Sequence, residues 1–327
     1  MKKEITKAVM ITLVINIFMV VLSYNLLGRQ SKKEVPEERL EAKNVLNIAG
    51  DNIARIYISE TGKILEINVE EYVACVVASE MPANFNPEAL KAQAIAARTY
   101  YYAKKESKCN NGEGADICNG THCQAFAVKD KILEKWPDSK KDEYWNKINN
   151  AVLDTKGKVI VYNGELIKYP QYFATSWGKT ESLEGVPYLV STESKGEEIA
   201  PKYKSEVKYS VDDFINKLKS KYNIEDINSD NIASKINIQS YTEGGAVENI
   251  KIGDKVISGI EFRSLFNTNS TNFQISIQGN EVTISCIGYG HGIGMSQWGA
   301  EVMAREGRNY EEILKHYYKD IDICEVS

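Results

Sequence analysis

Two helix-start signals on either side of one proline constrain this chain more tightly than any other feature. In INVEEYVACVVASEMPANFNPEALKAQAIAAR, residues 67–98, Asn68 is an N-cap with Glu71 three residues on as its capping-box partner. Ile67 and Tyr72 are placed as a hydrophobic staple. Pro82 cannot continue the helix, and Asn86-Pro87 then supplies a second start, an N-cap followed by proline at the first helical position. The reading is a helix ending at Met81-Pro82 and a longer one running to about Lys105. The second is rich in alanine (Ala89, Ala92, Ala94, Ala96, Ala97, Ala103), and small side chains let another element approach closely.

Glu80 ends the first helix. Tyr72, Val76 and Glu80 are spaced i, i+4, i+8, and Val73 and Val77 fill the same stripe, so the carboxylate falls on the apolar face. Burial and the negative end of the helix dipole both disfavour its ionised form and raise its pKa. A carboxylic acid kept protonated near neutral pH suits a general acid in glycosidic bond cleavage. The alternative is a partly exposed carboxylate salt-bridged to a neighbour such as Arg98.

Residues 8–28 hold a charge-free run, AVMITLVINIFMVVLSYNLL, of the length a membrane-spanning helix needs, with no small-residue cleavage site after it. They read as an uncleaved anchor, with a removed signal sequence as the alternative. Lys2, Lys3 and Lys7 put the tail, residues 1–7, in the cytoplasm. That makes the chain a single-pass protein of the cell membrane with residues 46–327 extracytoplasmic. Residues 29–45 are charged, lack an apolar period and read as a linker. A formal charge of −5, with no clustered Lys/Arg face, argues against nucleic acid as a partner. The 327 residues, 43% of them hydrophobic, suffice for a substantial core.

Alternation predicts a hairpin over IARIYIS, ETGK and ILEINV, leading into the Glu80 helix. Glu106–Cys123 is too rich in turn-formers for a regular element. Helices are expected over Asp130–Trp136 and Asp142–Thr155, then a hairpin with Asn163-Gly164 as a type I′ turn. Ser194–Ser205 reads as polar loop, Val211–Tyr222 as a helix, and VISGIEF, FQISI and EVTISCI as strands, the last two joined at Gly279-Asn280. GYGHGIGMSQWGA carries Gly288, Gly290, Gly292, Gly294 and Gly299, which mark close approach by a ligand or another part of the chain. One helix then runs from about Ser296 to Gly307, and a second starts at Asn309 with Glu312 closing a capping box. The class is α+β: a helical part (about 68–156), a β-rich part (about 157–290) and C-terminal helices (about 296–320), packed around an elongated groove.

Three blocks in this order, YVACVVASEMPANFNPEALKAQAIAARTYYYA, YFATSWGKTES with VPYLVS behind it, and GHGIGMSQWGAEVMAREGRNYEEILKHYY, resemble the stage II sporulation protein D family. Those are membrane-anchored peptidoglycan lytic transglycosylases of engulfment in endospore-forming bacteria. Trp177 stands where the family's Ser-x-Gly-Gly-x-Thr has its first glycine. The resemblance implies Glu80 as the catalytic residue and a functional role for Arg98, whose guanidinium could bind a sugar substituent or stabilise charge near the acid. It also implies glycan strands stripped of stem peptides as substrate, and a peptidoglycan amidase and a membrane scaffold protein as partners.

Lytic transglycosylation uses the substrate's own C6 hydroxyl as nucleophile, so one carboxyl group can serve as acid and then as base. Ordinary glycosidases use two carboxylates across the bond, whereas this chemistry has no obligatory second one and requires no cofactor. Glu70, Glu71 and Glu88 sit in first turns, where negative charge aids a helix. A guanidinium paired with Glu80 would lower its pKa, so Arg98 is expected offset from it. Gln124, Ser176, His291, Ser296 and Gln297 are candidates to line a groove for a neutral glycan, each with a structural role as its alternative.

Cys109, Cys118, His122 and Cys123 offer the ligand set of a structural zinc site in an irregular loop. A disulfide between two of the three cysteines is the competing reading outside the membrane. Cys75, Cys286 and Cys324 read as buried apolar residues.

Overall fold

The first hairpin hands the chain directly to the Glu80 helix. The computed structural model describes residues 45–46, 52–120 and 123–326, so the anchor, the linker up to residue 44 and His122 lie outside the described residues. Among the described residues no helix is long and apolar enough to cross a membrane.

After β1 (Val45–Leu46), β2 (Ile53–Ile58) and β3 (Lys63–Asn68) form the predicted antiparallel hairpin. Helix α1 (Val69–Glu80) starts where the Asn68 carboxamide accepts the Glu70 N–H, and α2 (Pro87–Ser107) starts on Asn86 in the same way. The loop after α2 is less irregular than its composition suggests: β4 (Ile117–Cys118) pairs in parallel with β2. Helices α3 (Lys129–Leu133) and α4 (Lys141–Asp154) follow, then β5 (Lys158–Tyr162) and β6 (Glu165–Leu166). Asn163 and Gly164 both take positive φ, 53° and 83°, as a type I′ turn demands.

Helix α2 is the hub of the first core. Its buried Ala89, Ala92, Ala94, Ala96 and Ala97 admit α1, α4, β5 and the two C-terminal helices. Tyr72, Val73, Val76 and Val77 of α1 close that core, so the stripe read in the sequence does face inward.

Next come β7 (Tyr172–Phe173), β8 (Gly178–Lys179), β9 (Glu193–Ser194), β10 (Lys204–Ser210), α5 (Val211–Lys221) and α6 (Ile232–Lys235). Ser194–Ser205 is thus not featureless: it carries the end of β9, a 3₁₀ turn at Glu197–Ile199 and the start of β10. Strands β11 (Ile236–Tyr241), β12 (Val247–Ile252) and β13 (Lys255–Ser258) form one antiparallel sheet, and helix α7 (Gly259–Phe266) follows. VISGIEF therefore changes from strand to helix in mid-run. Ser258 and Glu261 close a capping box there, a local signal that outweighs the apolar alternation. Strands β14 (Phe273–Gln278) and β15 (Glu281–Ile287) pair with β10 in the order β10-β15-β14. Phe214, Phe262, Phe266 and Phe273 stack between the sheets as the centre of a second core.

The chain then returns to the first core through β16 (Met295–Ser296), α8 (Gln297–Arg305), α9 (Tyr310–Tyr317) and β17 (Asp322–Val326). Asn309 and Glu312 form the expected capping box. Strand β17, absent from the sequence reading, lies between β1 and β5.

Candidate active site

Glu80 is the last residue of α1, and its carboxyl points out of the first core into a cavity of about 750 Å³. Two donors hold it: Ala125 N–H at 2.8 Å on Oε1 and Gln297 Nε2 at 3.0 Å on Oε2. Desolvation by burial pushes its pKa up, and these hydrogen bonds, with the neighbouring Tyr172 hydroxyl, oppose the shift without cancelling it. Burial thus makes the carboxyl easier to protonate, while the donors stay in place for the carboxylate.

Gln124 braces the wall beside it. Its Oε1 accepts the Tyr172 hydroxyl at 2.6 Å, and its Nε2 donates to Tyr72 Oη at 2.7 Å and Ala97 O at 3.2 Å. Tyr172, on β7, was not singled out in the sequence; its strand pattern shows nothing that separates it from a packing tyrosine. His291 lines the same cavity, with Nδ1 accepting the Ile293 N–H at 3.1 Å. Tyr100, Lys104, Glu106, Lys168 and Tyr169 are among the other residues that line it.

Three expected groove residues stand elsewhere, and a fourth, Gln297, reaches Glu80 but is itself buried and not among the residues lining the cavity. Arg98 is 0% exposed and does not line the cavity. Its Nε and Nη2 form a fork on the Glu70 carboxylate, and Nη1 donates to Lys158 O at 3.0 Å. It is offset from Glu80 as expected, but it locks α1, α2 and β5 together and presents no N–H to a sugar. Glu70 is more than a first-turn charge, since its Oε1 also accepts the Gly157 N–H at 3.2 Å. Ser176 and Ser296 are each 0% exposed and gather at a different carboxylate, Glu197. No local signal marks Glu197, which lies in a run that reads as polar loop and whose partners Ser176 and Ser296 are remote in sequence.

The glycine run proves to be a matter of chain against chain. A Cβ at Gly292 would stand 2.4 Å from the Trp177 ring, and one at Gly294 would stand 2.0 Å from Gln171 O. Trp177, the departure from the family pattern, fills space that Gly288 and Gly292 vacate, and its Nε1 donates to Gly244 O at 2.8 Å. The close approach at Gly294 permits β16 to pair in parallel with β7, which sets Met295 opposite Tyr172 and Ser296, the residue before Gln297, opposite Phe173.

Cys109, Cys118 and Cys123 converge, with sulfur–sulfur distances of 3.6 Å for Cys109–Cys123 and 3.8 Å for Cys118–Cys123. These are separate thiols. Cys75, Cys286 and Cys324 are buried in the cores, as read from the sequence.

The family pattern described as "Stage II sporulation protein" matches residues 57–162, the segment that holds Glu80, Arg98, Gln124 and the cysteine cluster. The stage II sporulation protein D of Bacillus subtilis is 35% identical over 83% of this chain and 78% of its own length. The chain belongs to the stage II sporulation protein D family. The Bacillus amyloliquefaciens member of that family is 36% identical over 83% of this chain and 78% of its own length. A Bacillus subtilis protein named amidase enhancer is 29% identical over 74% of this chain and 39% of its own length.

Proposed function

We propose that this family member is a membrane-anchored lytic transglycosylase that cleaves peptidoglycan glycan strands between N-acetylmuramic acid and N-acetylglucosamine during engulfment, with Glu80 as both acid and base. The observation that carries the reading is a desolvated, protonation-prone carboxyl opening into a cavity of glycan size. Glu80 gives its proton to the glycosidic oxygen, and the C1–O bond breaks. The muramic C6 hydroxyl then attacks C1 and returns its proton to Glu80, which closes a 1,6-anhydro ring without consuming water. Gln297 and the Ala125 N–H stabilise the carboxylate between the two steps. Glu106, exposed near the end of α2, is the other acid among the residues lining the cavity.

A single digest tests this. Denuded glycan strands incubated with the protein should yield 1,6-anhydromuramic ends. Reducing ends would identify a water-using muramidase, and binding without any product would identify a wall-binding module.

The cysteine cluster supports a structural zinc. Tetrahedral Zn–S bonds of about 2.3 Å place sulfurs about 3.8 Å apart, which the observed spacings fit. Cys109, Cys118 and Cys123 would hold the ion, with His122 as the proposed fourth ligand, and the ion would pin the loop that delivers Gln124 and Ala125. Metal analysis should give one zinc per chain before chelation and none after it, and metal-free protein with native stability would end the idea. The charge-free run at 8–28 supports a cell-membrane anchor with the cavity outside. The relative named amidase enhancer supports a peptidoglycan amidase as partner, and the family resemblance supports a membrane scaffold beside it.

A further inference from the structure

Glu197 takes no part in the chemistry above, yet its residue is only 1% exposed and its carboxyl is ringed by donors. Oε1 accepts the Ser194 hydroxyl, which also shares a 2.7 Å hydrogen bond with Tyr317 of α9. Oε2 accepts the Ser176 N–H at 2.7 Å and the Ser296 hydroxyl at 2.6 Å. Chain segments remote from one another in sequence therefore end on one carboxyl: the loop after β7, the end of β9 and the N-cap of α8. Gly299 makes room for this, since a Cβ there would lie 2.7 Å from Glu197 Oε1 and 2.0 Å from Tyr317 Oη.

The segments so tied are the ones that hold Glu80. Ser296 precedes Gln297, the donor to Glu80 Oε2. Strand β16 pairs with β7 in the register Met295↔Tyr172 and Ser296↔Phe173, and Trp298 N–H adds a bond to Ala174 O at 3.0 Å. Tyr172 in turn fixes Gln124, which immediately precedes Ala125, the other donor to Glu80. A buried carboxylate is a costly way to join strands if packing were the whole purpose. What it supplies is a directional anchor that accepts from both segments at once and so sets where Gln297 sits.

We propose that Glu197 is a positioning residue for Glu80: by clamping Ser176 and Ser296 it holds the β7–β16 pair so that Gln297 and Tyr172 meet the catalytic carboxyl. The inference rests on the reading of Glu80 as the acid, and its test has one readout that does not need turnover. In the full chain labelled with ¹³C at the glutamate carboxyls, the Glu80 signal is assigned by its loss in Glu80→Gln and titrated. Glu197→Gln should raise the Glu80 midpoint, because the Gln297 hydrogen bond that lowers it is loosened. It should also reduce kcat about 10- to 100-fold with glycan binding within about twofold of the parent. In a Gln297→Ala background the same change should have a smaller effect on both, because only the Tyr172 arm is left to disturb. An unchanged Glu80 midpoint and kcat in folded Glu197→Gln, or effects that simply add to those of Gln297→Ala, would overturn the proposal. Should Glu197→Gln fail to fold, Ser296→Ala breaks one arm of the clamp and is held to the same criteria. If the parent makes no anhydro product, the transglycosylase reading falls, while the titration still decides the clamp.

Discussion

Glu80 and Glu197 are two glutamates withdrawn from water in the same fold, and the surroundings of their carboxyls differ in one decisive respect. Burial pushes both pKa values up, that of Glu197 to about 7. Glu197 is enclosed by Ser176, Ser194 and Ser296, whereas Glu80 keeps one donor on each oxygen and opens into the cavity. A raised pKa records only that water has been removed. Access to a space where a substrate oxygen can stand is what separates a candidate acid from a structural anchor.

Exchanging carboxyl for carboxamide at Glu80 is the harshest trial of that contrast. Glu80→Gln should keep the fold and glycan binding but lose cleavage by about 10²–10⁴-fold, measured as release of anhydro ends. Retained cleavage would remove Glu80 from the chemistry and leave the two glutamates equivalent. A second trial concerns Arg98, a buried charge with no view of the cavity. Glu70→Ala strands its guanidinium and should cost about 3–5 kcal/mol in denaturant unfolding. A loss of cleavage without a loss of stability would restore Arg98 to the substrate site.

The third trial uses pH. With its folded pKa near 7, above the ordinary value of 4.5, Glu197 binds its proton more tightly in the folded state. Its contribution to stability is full below about pH 4.5 and is lost as the pH rises through 7. That loss is about 3 kcal/mol and should show as lower unfolding free energy at pH 8 than at pH 5. Glu197→Gln should flatten that difference. Equal slopes in parent and variant would mean that Glu197 is already ionised and held by its donors throughout.

Much of the helical framework was legible because its signals act over a few residues. Asn68, Pro82 and Asn86-Pro87 bound the two central helices, Asn163-Gly164 turns its hairpin, and Asn309 with Glu312 starts the last helix, all within the reach of a side chain to its own backbone. Glu80 was legible for the same reason, since helical spacing alone puts it on the apolar stripe. Polarity at Ser176 and Ser296 was visible, but its meaning was not. A serine that binds a glycan and one that binds Glu197 look alike until the chain is folded. Only tertiary structure decided that Arg98 belongs to Glu70, that β17 inserts between β1 and β5, and that Gln297 reaches Glu80 across the molecule. These depend on partners brought together by the packing of both cores, and no local period or cap encodes which remote residue will arrive.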